Sequence, residues 1–267
     1  MPIASFYGFV TDGLFTEEDD TDGDGIVDNQ PTYIDDDGNT ALMQPYAQPG
    51  DIKFVDQDGD GRLTSDDKKM IGSPHPDFTY GMSAQFNYKN WDLSMFWQGV
   101  QGNDIFNTML YDFLGGDFNS NFHDDILNYY RSPVYDENDP NVIIDQGNTN
   151  TDIPRIDGTN SNGNYTNVSD IYIEDGSYLR LKNLQIGYYL PENIANYTGI
   201  KNVRIYVSGQ NLITFTKYRG SDPEIGQAYN NYGMNQVEDN YNSLVMGVDY
   251  GNYPQARTYM VGVNITF

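Results

Sequence analysis

The chain has no cysteine, only two histidines and only two tryptophans in 267 residues. Without cysteine there is no disulfide framework and no thiol chemistry. Neither His75 nor His123 has a serine or cysteine partner in a recognisable motif, and no G-x-S-x-G, phosphate loop or H-E-x-x-H occurs, so nothing points to an enzyme. Basic residues are also few: 14 Lys and Arg stand against 39 Asp and Glu, giving a formal charge of -25 and a pI near 4.1. Binding nucleic acid through its phosphates needs clustered Lys and Arg, so that partner is excluded, whereas cations suit the chain. No run of 18 apolar residues exists, which excludes a membrane-spanning helix. A membrane barrel stays open, because barrel strands alternate apolar and polar residues. Met1–Phe6 offers neither a basic start nor an apolar core, so no secretory leader is read there.

What is abundant is aromatic and flexible: 23 Tyr, 13 Phe and 27 Gly. With helix formers scarce, this composition predicts an all-β chain with long polar loops. Charge divides the chain. Residues 1–77 carry 18 acidic and 4 basic side chains and are rich in Gly, Asp and Asn, which reads as an acidic loop region rather than a core. Residues 78–267 read as strands. Phe78, Tyr80, Met82, Ala84, Phe86 and Tyr88 alternate with polar residues, Lys89-Asn90 makes a tight turn, and Trp91, Leu93, Met95 and Trp97 alternate again, with Phe96 interrupting the polar face. Antiparallel strands are expected near 78–88, 91–100, 176–190, 202–214 and 255–267. In the third, apolar parity slips at Lys182-Asn183, where a bulge would repair the register. Asn121 is read as the cap of a short helix over Phe122–Tyr130.

The connections run short (89–90), very long (101–175), short (191–201) and long (215–254). Outer-membrane barrels alternate in this way, with short periplasmic turns and long extracellular loops. Strands of about ten residues are long enough to cross a bilayer when tilted. Phe78, Tyr88, Trp91, Trp97, Tyr188 and Tyr189 are read as aromatics of an interfacial girdle. The alternative is a soluble β-sandwich, whose strands also alternate. Tyr259, Val263, Ile265 and the terminal Phe267 resemble the signal read by the outer-membrane assembly machinery.

Two aspartate runs carry metal chemistry. Asp56-Gln57-Asp58-Gly59-Asp60-Gly61-Arg62 through Asp67 matches an EF-hand calcium loop: carboxylates at positions 1, 3 and 5, Gly61 at the sharp turn, the carbonyl of Arg62 at 7, and Asp67 in place of Glu at 12. The metal-free alternative is an Asx-turn loop. Asp20, Asp22, Asp24 and Asp28 repeat the start of the pattern with an acid at position 9, but position 12 is Pro31, and metal and metal-free readings both stay open there. Calcium, in a structural role, is the expected cofactor.

Several stretches resemble the SusC/RagA family of TonB-dependent outer-membrane transporters: Glu174-Asp175-Gly176-Ser177-Tyr178-Leu179-Arg180-Leu181, Arg204-Ile205-Tyr206-Val207-Ser208-Gly209-Gln210-Asn211-Leu212, Asp222-Pro223-Glu224, and Tyr253-Pro254-Gln255-Ala256-Arg257-Thr258-Tyr259 running to Phe267. Ser5-Phe6-Tyr7-Gly8-Phe9 and Gly50-Asp51-Ile52-Lys53-Phe54 are similar again. The resemblance implies the C-terminal part of a large barrel of about 22 strands around a plugged lumen, of which this chain supplies too few strands to close. It implies a fragment of an importer of glycans or other oligomeric nutrients in the outer membrane, surrounded by lipid. A SusD-like surface lipoprotein, the TonB complex (reached through a part not in this chain) and an oligosaccharide or peptide ligand are the implied partners. The alternative is a calcium-binding cell-surface β domain, either an adhesin or a carbohydrate-binding module.

Overall fold

The computed structural model describes residues 3–111, 114, 124–139, 141–191, 200–225 and 246–266. Their strands are β1 Phe6–Gly8, β2 Thr11–Leu14, β3 Thr32–Ile34, β4 Thr40–Leu42, β5 Ile52–Phe54, β6 Lys69–Gly72, β7 Phe78–Tyr88, β8 Trp91–Gln101, β9 Asp104–Asn107, β10 Val134–Tyr135, β11 Ile143–Asp145, β12 Ile173–Asp175, β13 Tyr178–Tyr189, β14 Asn202–Thr216, β15 Val248–Asp249 and β16 Thr258–Thr266. The chain is all-β, as its composition predicts. It divides into two compact units, one of Met1–Ser73 with Phe106–Ile173 and one of Pro74–Ile105 with Glu174–Phe267.

The first unit differs from the expected acidic loop region 1–77. That segment folds together with most of the long connection 101–175, and it has cores of its own. Phe15, Val27 and Ala47 form one, Phe9, Met43, Ile52 and Phe54 a second, and Leu110, Leu114, Ile126, Tyr165 and Tyr172 a third. Short two-stranded ladders, β1 with β6, β2 with β5 and β3 with β4, connect them. The anticipated helix over 122–130 is a 3-10 turn, Asp124–Asn128; residues 122 and 123 lie outside the described residues. Within the turn only Ile126 is buried, too narrow a stripe to support a longer amphipathic helix.

The second unit is built on a five-stranded antiparallel sheet in the order β16-β14-β13-β8-β7. The two-residue turn at Lys89-Asn90 closes on the Tyr88–Trp91 pair, with Lys89 at φ 53°. Register aligns the apolar positions in rows across the sheet: Tyr88, Trp91, Tyr188, Ile205 and Val263, then Phe86, Leu93, Ile186, Val207 and Val261, then Ala84, Met95, Leu184, Gly209 and Tyr259. The bulge does occur between Leu181 and Asn183, so Leu179 and Leu181 rejoin the same face as Leu184. A further extra residue on β14 near Asn211, whose φ is 53°, matches it. The apolar face is exposed, Phe86 at 58% and Val261 at 77%.

Two girdle assignments change. Tyr189 lies one residue beyond Tyr188 and so on the opposite face, against Arg204. Trp97 sits inside the sheet between Met82 and Leu181 and stacks on Phe215, so Tyr80 and Phe215 mark that edge of the band. Phe267 lies outside the described residues, and β16 is described to Thr266.

Candidate functional site

The two aspartate runs fold into loops with one hydrogen-bonding scheme. In the first, Asp20 accepts the N–H groups of Gly23 and Gly25 at 2.8 and 2.9 Å, and Asp22 and Asp24 accept those of Asp24 and Ile26. In the second, Asp56 accepts from Gly59 and Gly61 at 2.7 and 2.8 Å, and Asp58 and Asp60 accept from Asp60 and Arg62. One carboxylate oxygen from each of Asp20, Asp22 and Asp24 lies within 4.8 Å of the others, and Asp56, Asp58 and Asp60 converge in the same way. Position 2 shows an equivalence that spacing alone does not reveal. Asp67, at position 12, accepts the N–H of Gln57, while Asp28, at position 9, accepts the N–H of Thr21. The acid missing at Pro31 is thus replaced by one three residues earlier. Asp67 and Asp28 stand outside their three-carboxylate clusters, and Asp67 is fully buried with its second oxygen on the N–H of Thr64.

Charge crowding registers at Asp58. The N–H of Asp60 stabilises its carboxylate, but desolvation and the charges of Asp60, Asp67 and Asp56 together hold its pKa above the ordinary value. The 56–67 loop is anchored from outside. Arg62 donates to the carbonyl of Ile34 at 3.1 Å and lies over the Tyr33 ring at 4.4 Å. Gly61, at φ 78°, rests so closely on β3 that a Cβ would lie 2.2 Å from the Thr32 carbonyl oxygen.

A buried polar network ties the two segments of the first unit together. Asp51 has no exposed surface and receives Arg155 on both oxygens at 2.7 and 3.1 Å, with Asn164 donating at 2.7 Å. Gln44 and Asn162 both donate to the carbonyl of Ile52, and Asn164 accepts its N–H. Burial pushes the Asp51 pKa up in spite of the Arg155 hydrogen bonds. Arg155 also reaches Asp157. Desolvation would raise the Asp157 pKa, but the hydroxyls and N–H groups of Thr159 and Ser161 outweigh it and hold it well below the carboxylate range.

On the sheet, the face opposite the apolar one is polar. Gln85, Ser94, Gln185 and Ser208 stand abreast, and Arg204 pairs with Asp92 at 2.8 Å beside them. Gly187 gives that pair room, since a Cβ there would meet Asp92 and Arg204 at 2.4 and 2.5 Å. Nearer the long-loop end, Arg180 is 3% exposed and holds Asp222 and Glu224, which Lys182 joins. Tyr259, Val263 and Ile265 of the expected assembly signal all lie on the exposed apolar face.

No family model matches the chain. It is 38% identical over 265 residues to TonB-dependent receptor P3 of Formosa agariphila, covering 99% of this chain and 22% of that protein. It is 27% identical over 222 residues to TonB-dependent receptor SusC of Bacteroides thetaiotaomicron, covering 82% of this chain and 18% of that one. Among solved structures, the RagAB peptide importer in its open-open state matches 98% of this chain and 22% of its own, with a TM-score of 0.60 at 22% identity. The chain thus spans about a fifth of the length of these relatives.

Proposed function

The chain belongs, as a segment, to the SusC/RagA-type TonB-dependent receptors, and from that premise we propose that it forms the C-terminal part of the wall of an outer-membrane importer of glycans or other oligomeric nutrients. The observation that carries this reading is the two-faced sheet. Eleven-residue strands such as β7 extend roughly 37 Å at about 3.4 Å per residue, and tilted by about 40° they cross roughly 28 Å, close to the hydrocarbon thickness. Their outward rows are apolar and exposed, and their inward rows are polar. In a soluble sandwich the apolar rows would be packed against a second sheet; here Tyr88 is 70% and Tyr259 71% exposed. In this reading the inward rows line the lumen, a SusD-like lipoprotein works with the extracellular mouth, the TonB complex acts through the rest of the protein, and transport rather than catalysis is the activity.

Calcium is part of the same proposal. Asp56, Asp58 and Asp60 hold one Ca²⁺, completed by Asp67 and the Arg62 carbonyl; Asp20, Asp22, Asp24 and Asp28 hold a second. Extracellular sites of this kind work with dissociation constants of roughly 10⁻⁴–10⁻³ M. Calorimetry on the full receptor should show calcium heat that Asp56→Asn with Asp58→Asn reduces, and no heat at millimolar calcium would rule the metal out.

The importer is tested in its host. Deleting the receptor gene should abolish uptake of labelled oligosaccharide or oligopeptide. Unchanged uptake of both would overturn the reading. Removing Phe267 should lower the amount of receptor assembled in the outer membrane, because assembly reads the last strand.

A further inference from the structure

The first unit contains a cavity of about 320 Å³ lined by Glu17, Asp20, Gln48, Tyr129, Arg131 and Arg155, among others. That is at the lower end of ligand-pocket sizes, room for a short piece of a ligand rather than a whole oligomer. Its floor is rigid. Gly50 sits so close that a Cβ would lie 2.3 Å from the Tyr130 ring, the N–H of Arg155 donates to the Gly50 carbonyl at 2.9 Å, and Tyr130 is 2% exposed.

The polar groups that line it have hydrogen-bonding capacity to spare. Arg155 spends Nε and Nη2 on Asp51 and Asp157, and its Nη1 donates to no partner among the described residues. The Gln48 side-chain amide has no partner among them either, although its backbone N–H donates to Asp51. Glu17 accepts from the Tyr130 hydroxyl through Oε1, which leaves Oε2. Burial and the Glu17 charge push the Tyr130 pKa up to about 12, so this hydroxyl stays a donor. At the rim, Arg131 lies 5.9 Å from the centre of the Tyr129 ring.

Charge narrows the ligand class. Arg155 is already neutralised by Asp51 and Asp157, and Glu17 and Asp20 stand in the wall, so an anionic ligand is disfavoured. The Arg131 guanidinium at the rim disfavours a cationic one. Apolar lining is limited chiefly to Pro49 and Ile156, which gives peptide side chains little to bury. Free donors, free acceptors and one aromatic ring suit a neutral ligand dense in hydroxyls. We propose that this cavity is a subsite for a neutral oligosaccharide, with the Tyr129 ring as its stacking surface and Gln48, Glu17 and Arg155 hydrogen-bonding the sugar hydroxyls. This assignment rests on the importer reading and gives it a substrate class.

The test is calorimetry on the full-length detergent-solubilised receptor with maltohexaose, cellohexaose and xylohexaose, against hexagalacturonate and a neutral hexapeptide. At least one neutral sugar should bind. Tyr129→Ala should weaken it by roughly tenfold, the worth of one aromatic contact, while Tyr129→Phe retains it. Gln48→Ala, which touches no part of the buried network through its side chain, should also weaken it. No neutral sugar bound at millimolar concentration, tighter binding of the uronate or peptide, or an unchanged affinity in Tyr129→Ala would each overturn the assignment. Failure of the importer reading looks different: a receptor that mediates no uptake but still binds sugar through Tyr129 keeps the subsite and loses the transport.

Discussion

Met95 and Ser94 are chain neighbours on opposite faces of β8, and arginine at each should have opposite consequences. Met95 lies between Ala84 and Leu184 in an apolar row, and Ser94 lies between Gln85 and Gln185 in a polar one. Met95 is four residues from Trp91 and six from Gln101 along the strand. At about 3.4 Å per residue and a tilt of about 40°, it sits roughly 10 Å from one end of the strand and 16 Å from the other, near the bilayer midplane. A lipid-facing arginine at that depth costs about 2–4 kcal/mol. Met95→Arg should therefore lower the folded-to-unfolded ratio of the full receptor by between roughly 30-fold and several hundredfold. Ser94→Arg places its charge beside Asp92 and the lumen, and its cost should stay below about 1 kcal/mol. Urea titration of receptor refolded into liposomes gives the free energies, and gel mobility of unheated outer-membrane fractions gives the folded amount in cells. Equal costs at the two positions, or a larger one at Ser94, would refute the assignment of the faces and with it the barrel reading.

Two further outcomes follow from the first unit. Arg155→Ala leaves the Asp51 carboxylate buried without its cation, a change that costs about 3–5 kcal/mol, and hydrogen exchange at Ile52 and Phe54 should accelerate accordingly while exchange in the β7–β8 hairpin stays unchanged. Asp157 has a folded pKa below its ordinary 3.8, so its contribution is complete above about pH 4 and fades as pH falls through the folded value; the stability gap between wild type and Asp157→Asn should hold from about pH 7 to pH 4 and close in stronger acid.

Period-2 patterning made the sheet legible. The parity of Phe78–Tyr88, the turn at Lys89-Asn90 and the slip at Lys182 are local signals, and each corresponds to a feature of the register. The same parity puts Tyr189 on the polar face, where position at a strand end had suggested a girdle. The aspartate loops were legible as spacings, because carboxylates at alternate positions cap their own turns. The equivalence of Asp28 and Asp67 was not, since it depends on which N–H each oxygen meets. The make-up of the first unit was hidden for a related reason. Asp51 meets Arg155 and Ile52 meets Asn164 across more than 100 residues, through single polar contacts with no periodicity to announce them. Such pairs look like ordinary loop residues until the chain is folded.

The supernumerary residue at Lys182 governs which alignments the wall can adopt. Above it the apolar residues of β13 occupy one phase, Leu179 and Leu181, and below it the other, Leu184, Ile186 and Tyr188. A uniform strand can slide by two residues and keep its faces. This one cannot, because any slide carries the phase change past its counterparts at Phe96 and Asn211 and turns part of the strand inside out. The extra residue acts as an index mark. It makes one alignment of three neighbouring strands recoverable during assembly, and inserting or deleting a residue on only one of them would be read as a frameshift of the surface.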